Sequence, residues 1–126
     1  MIVLDASAVL ALINDEPGAG LVADNLARGR LCSVNLAEVV GKLVDAGLDV
    51  RRVTALLTAA GVVVEPFLAA DGEMAGALRS LPAARGLSLG DRCCLALALR
   101  QPEPVVLTAD RAWAGIDLPL TIRLLR

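Results

Sequence analysis

The sequence predicts an α/β domain built on a buried, mostly parallel sheet, and three observations carry that expectation. Short aliphatic runs at 2–4, 62–64 and 105–107 alternate with helical-period segments, the pattern of a doubly wound sheet with right-handed crossovers. Residues are 56% apolar but only 2% aromatic, so the core must be built from Ala, Val, Leu and Ile, which suits helices packed on such a sheet. At 126 residues the chain is expected to form one domain, 1–126, with a single hydrophobic core.

The first strand, 2–4, ends at Asp5. A helix follows over 6–13 and is stopped by the Asn-Asp-Glu-Pro-Gly segment at 14–18. Leu21, Val22 and Leu26 give 19–27 an apolar helical side, and Arg28, Gly29 and Arg30 end that helix. A short second strand is expected over 31–34. Asn35 then reads as the cap of a helix running to Ala46, with Leu36, Val39, Val40, Leu43 and Val44 at helical spacing and Gly47 closing it.

Asp49 is a good cap for a further helix with Val53, Leu56 and Leu57 on its apolar side, ended by Gly61. The β-branched run 62–64 is the third strand. Asp71 reads as the cap of a helix bearing Met74, Leu78 and Leu81. Ser88 caps another over 89–99, apolar almost all round and therefore central and buried. Pro102 and Pro104 bracket a turn before the fourth strand, 105–107, which runs out at Thr108, Ala109 and Asp110. A helical turn with Trp113 and a last strand over 121–124 complete the pattern. There is no internal repeat, low-complexity tract or linker.

Composition also removes whole classes of function. With no histidine, imidazole catalysis and His-ligated metals are excluded, and tyrosine is absent too. A net charge of −2 argues against holding nucleic acid by bulk electrostatics, though not against reaching phosphate through a metal ion and a few arginines. Three cysteines, with Cys93 and Cys94 adjacent, make neither a disulfide framework nor a zinc spacing, and reduced buried thiols in a cytoplasmic protein are expected. No apolar stretch approaches the ~18 residues of a membrane span. Asp5 interrupts the apolar amino terminus, which lacks the basic segment of a signal peptide.

The functional argument rests on where the acids fall. Asp5 and Asp110 lie at or just past the ends of apolar strands, while Glu38 and Asp91 are expected in the first turns of helices. In an open parallel sheet those positions share one edge, where ligands bind. Four converging carboxylates would repel one another or stay partly protonated. A divalent cation removes the conflict, and oxygen-only ligands suit Mg²⁺ or Mn²⁺. The competing reading is that all four are helix caps. Asn35 to Glu38 and Ser88 to Asp91 both have capping-box spacing, and Asp5 and Asp110 can cap directly. Spacing alone leaves both readings open.

The runs Ile2-Val3-Leu4-Asp5-Ala6-Ser7-Ala8, Asn35-Leu36-Ala37-Glu38-Val39, Leu87-Ser88-Leu89-Gly90-Asp91 and Val106-Leu107-Thr108-Ala109-Asp110 resemble, in order and spacing, the four motifs of PIN domains. They are most similar to the VapC-type toxins of bacterial type II toxin–antitoxin systems, and the resemblance covers the whole chain. It implies a three-layer α/β/α fold with a five-stranded parallel sheet. Asp5, Glu38, Asp91 and Asp110 correspond to the acidic residues that hold Mg²⁺ (or Mn²⁺) for RNA hydrolysis. Ser7 and Thr108 match hydroxyl positions that orient the acids or a water. The resemblance further implies 5′-phosphate and 3′-hydroxyl products, homodimerisation, and neutralisation by a small antitoxin.

Arg92 and Arg111 adjoin two of the acids and are candidates for RNA phosphate contact, or simple surface partners of the acids. Trp113, Cys93 and Cys94 read as packing residues. Among rival functions, a dinucleotide-binding turn would need glycines after the first strand, and Asp5-Ala6-Ser7-Ala8 has none. An aspartyl-phosphate enzyme would want a second acid near Asp5 or a lysine at the end of a late strand; Ser7 stands in the first place, and the sole lysine, Lys42, lies in an expected helix. A catalytically silent PIN fold kept for binding remains the other alternative.

Overall fold

The computed structural model describes residues 1–126. Its sheet has five strands: β1 (Ile2–Leu4), β2 (Gly29–Cys32), β3 (Val63–Glu65), β4 (Val105–Thr108) and β5 (Thr121–Leu124). They lie in the order β3-β2-β1-β4-β5, and every neighbouring pair is parallel. Six α-helices connect them: α1 (Ala6–Ile13), α2 (Ala19–Ala23), α3 (Ser33–Asp45), α4 (Val50–Ala59), α5 (Ala69–Ala77) and α6 (Leu89–Leu99). The chain moves from β1 to one side through β2 and β3, then crosses to β4 and β5 on the other. The switch point therefore falls between β1 and β4.

Period-two alternation along the inner strands divides the core into two halves. Leu4, Leu31 and Leu107 face one cluster with Val9, Val39, Leu43 and Leu57, whereas Val3, Cys32 and Val106 face a second with Leu95, Leu97 and Trp113. Helices α1 to α4 supply the first layer, and α5 and α6 the second, giving the expected three-layer α/β/α arrangement. Burying each such Leu or Val contributes about 1.5–3 kcal/mol before the entropy of ordering it. Helix α6 is buried from Arg92 through Ala98, as its all-round apolar surface predicts.

Several boundaries differ from the sequence expectation. The helix expected over 19–27 divides into α2 and a 3-10 turn, Leu26–Arg28. The buried Asn25 side chain donates to the Leu21 carbonyl oxygen at 2.7 Å and so competes with the helical ladder. Strand β2 begins at Gly29, two residues early, and α3 begins at Ser33. Asn35 is consequently the third residue of α3 and not its cap; Cys32 takes the cap position without a side-chain bond. Asp71 likewise lies in the first turn of α5, where its Oδ2 accepts from the backbone N–H of Leu68 at 2.8 Å. Asp49 does cap α4, accepting from the Arg52 N–H. Gly47 and Gly61 end their helices at positive φ, 69° and 103°, where a side chain would be strained.

Candidate active site

The switch point is built around Asp5. Only 3% exposed, it stands where β1 becomes α1, in the cap position but with no capping bond. Its Oδ2 instead accepts from two hydroxyls, Ser7 Oγ at 2.5 Å and Thr108 Oγ1 at 3.0 Å. Those hydroxyls are themselves fixed by β4 and the segment after it. Ser7 Oγ accepts from the Ala109 N–H at 3.0 Å and Thr108 Oγ1 from the Asp110 N–H at 3.1 Å. Each hydroxyl has one hydrogen, and both are directed to Asp5, so their own 3.2 Å contact carries no bond in that arrangement.

Burial pushes the Asp5 carboxyl up to about 6; the Ser7 and Thr108 bonds oppose that shift, and the charge of Asp91 adds to it. No Arg or Lys compensates the group. The ion pairs of the molecule, Arg30–Glu65, Arg100–Asp71 and Arg126–Glu16, involve none of the four acids.

The other three acids reach the same edge from separate elements. Asp91 sits in the first turn of α6 and closes a full capping box with Ser88. Its Oδ2 accepts from the Ser88 N–H at 2.9 Å, and its own N–H donates to Ser88 Oγ at 3.1 Å. Asp110 follows β4 and caps the 3-10 turn Arg111–Gly115, with Oδ1 accepting from the Ala112 N–H at 2.9 Å. Each aspartate thus has one oxygen engaged by backbone and a second with no partner in the chain. Glu38, in the second turn of α3, caps nothing. Its carboxylate lies against Gly90, next to Asp91: a Cβ built on Gly90 would fall 2.0 Å from Glu38 Oε1. Asn35 Nδ2 donates to Glu38 Oε2 at 2.9 Å and to the Gly90 carbonyl oxygen at 3.0 Å.

All-oxygen donors with no basic partner are the chemistry that suits Mg²⁺ or Mn²⁺, and the buried, uncompensated Asp5 fits that charge. As the side chains are placed, no three of the acids lie close enough together to share one ion.

The two arginines separate. Arg92, a candidate for phosphate contact, is buried, and its Nη1 donates to the Ala75 carbonyl oxygen of α5 at 2.8 Å. Its place on the buried face of α6 corrects that expectation. Arg111 is exposed beside Asp110 and makes no ion pair. Trp113 is fully buried and packs in the second core half. All three cysteines are buried free thiols; burial raises Cys32, Cys93 and, most strongly, Cys94, which makes them poor nucleophiles. Asn35 and Gly90 make contacts with Glu38 that sequence reasoning missed. An Asn three residues before the acid and a Gly just before Asp91 were visible, but their shared contact with Glu38 was not.

Comparison with known proteins bears on the family and the fold. The family model described as the PIN domain matches residues 2–118. No curated protein sequence matches the chain. Among solved structures, a toxin–antitoxin complex from Klebsiella pneumoniae aligns with TM-score 0.73 and 19% identity over 97% of this chain and 100% of that one. DNA-bound VapBC from Salmonella typhimurium aligns with TM-score 0.71 and 18% identity over 100% of both chains. VapBC2 from Rickettsia felis, bound to a DNA fragment from its promoter, aligns with TM-score 0.72 and 17% identity over 98% of both. At such identities these structures speak for the fold.

Proposed function

The chain belongs to the PIN-domain family, and on that premise we propose that it is a Mg²⁺- or Mn²⁺-dependent endoribonuclease, a VapC-type toxin held in check by a small antitoxin. The observation that carries this reading is Asp5: a buried carboxyl at the sheet's switch point, braced by Ser7 and Thr108, with no cation to offset it. Asp5, Glu38, Asp91 and Asp110 would hold the metal. When bound, the ion supplies Lewis-acid polarisation of the scissile phosphate.

The chain's own residues do the rest. Ser7 and Thr108 fix the Asp5 oxygen, and the capping bonds of Asp91 and Asp110 leave each with one oxygen for binding. With neither histidine nor tyrosine present, the proton released by the attacking water has a carboxylate as its acceptor. Arg111, exposed and unpaired, contacts RNA phosphate. Arg92, engaged on α5, takes no part.

A protein partner is supported by apolar surface. Leu56 and Leu89 are each 61% exposed, and a groove of ≈ 400 Å³ is lined wholly by apolar residues, among them Leu12, Ile13, Val53 and Leu56. The titles of the similar structures name toxin–antitoxin and VapBC complexes, which supports an antitoxin as that partner. The same surplus of exposed apolar side chains suits a homodimer as the toxin's own assembly. No helix is long and apolar enough to cross a membrane, in keeping with a cytoplasmic toxin.

One observation favours a second reading, a PIN fold kept for binding alone: no three acids are placed to share an ion. An assay on antitoxin-free protein separates the two. The proposal expects cleavage of RNA in millimolar Mg²⁺ and none in EDTA. Intact RNA in both, or equal cleavage in both, contradicts it.

A further inference from the structure

Glu38 is held by two residues that are poor local choices for the fold. Asn35 is fully buried inside a helix, where asparagine is a weak former, and its Oδ1 has no hydrogen-bond partner. Gly90 lies in the first turn of α6, where alanine would be the better helix former. By intrinsic helix propensity alone, both positions would be better filled by alanine. Both residues instead meet at one carboxylate. Asn35 Nδ2 has two hydrogens, one directed to Glu38 Oε2 and the other to the Gly90 carbonyl oxygen. The opposite amide orientation would set Oδ1 against two acceptors, so the orientation is dictated. Gly90 supplies the clearance, because any Cβ there would overlap the carboxylate, 2.0 Å from Oε1 and 2.5 Å from Cδ.

We propose that Asn35 and Gly90 are positioning residues that set the Glu38 carboxylate against the first turn of α6, beside Asp91, so that acids from two helices serve one metal site. The inference rests on the reading of Glu38 as a metal ligand. The amide draws the carboxylate in and ties it to the backbone of α6 through the same nitrogen. The bare Cα of Gly90 lets it lie flat on that turn. In Gly90→Ala the overlap falls on the far end of a flexible, solvent-exposed side chain, so the fold adjusts by turning Glu38 away. The Asn35 bond to the carbonyl oxygen of residue 90 survives that change, which separates carboxylate placement from helix tethering.

The test is Mn²⁺ titration by calorimetry on the full chain, with circular dichroism to verify folding. Residues that orient ligands typically alter metal affinity by about ten- to a hundred-fold, and a loss of that order is expected in both Asn35→Ala and Gly90→Ala. In a Glu38→Ala background, which lacks the carboxylate, Gly90→Ala should change affinity by less than about twofold, since the coupling has been removed. Should Asn35→Ala unfold, the Gly90 pair of measurements decides alone. Weak binding by Glu38→Ala together with parental affinity in Gly90→Ala overturns the inference and leaves the metal site standing. An equal loss from Gly90→Ala in both backgrounds overturns it too. Parental affinity in Glu38→Ala removes Glu38 from the site, and the inference with it.

Discussion

The amino ends of α3 and α6 bring acids to the same edge of the sheet and hold them by opposite means. Asp91 is fixed by backbone: its capping box with Ser88 lies within four residues and needs no other part of the chain for its bonds. Glu38 is one turn inside α3, caps nothing, and depends on a buried amide of its own helix and a bare glycine on the other. The comparison teaches that capping and binding are not exclusive. A cap engages one carboxylate oxygen and leaves the second available, while an acid freed from capping needs some other support to stay in place.

The strongest effect concerns Asp5 and the charge that Asp91 adds to it. Since the folded Asp5 titrates at about 6, above its ordinary 3.8, the folded state favours the protonated form. Its contribution is therefore fully present below about pH 4 and lost as pH rises through about 6. The shift corresponds to roughly 3 kcal/mol. Denaturant unfolding in EDTA should show Asp5→Asn gaining on the parent by about that amount between those pH values. The charge of Asp91 adds to the shift, so Asp91→Asn should shrink the pH effect. An undiminished pH effect in Asp91→Asn would mean that the two carboxylates do not interact.

Metal linkage comes next. With Mg²⁺ at a hundred times its dissociation constant, mass action raises stability by about 2.7 kcal/mol. Thermal melts should show such a rise in the parent and a much smaller one in Asp5→Asn. Melts of the parent that ignore Mg²⁺ would speak against any site at this edge.

The smallest effect isolates the caps themselves. Ser88→Ala should lower stability by about 1 kcal/mol through loss of the α6 cap. Glu38→Gln, which removes no cap, should stay within about 0.5 kcal/mol of the parent in the same denaturation experiment. Equal losses would mean that Glu38 is structural after all.

Much of this was legible in the sequence because the determinants are local. Ser88 with Asp91, Asp49 with Arg52, and the aliphatic runs at 2–4 and 121–124 each act within a few residues, and those elements begin where the pattern indicates. The start of α3 is not legible locally, because Cys32 caps it without a side-chain bond while Asn35 carries the residue type a cap prefers. That asparagine's partner is the carbonyl of Gly90, 55 residues away, and no local pattern encodes the contact. The placement of Arg92 is hidden for a related reason. Its neighbour Asp91 lies at the edge, but one helical step of about 100° turns the arginine into the interface with α5. The order of acids along the chain was readable; the contacts that hold each one are tertiary.

Whether the four acids are a site and not only a set of caps is decided by Asp91→Asn. An asparagine at this first-turn position still offers a side-chain oxygen to the Ser88 N–H, so helix α6 and its Ser88 bonds should persist and circular dichroism should match the parent. If Asp91 serves the metal, RNA cleavage in Mg²⁺ should fall by about a thousandfold or more, as expected when several kcal/mol of charge stabilisation are lost. Parental cleavage by a folded Asp91→Asn protein would contradict the account.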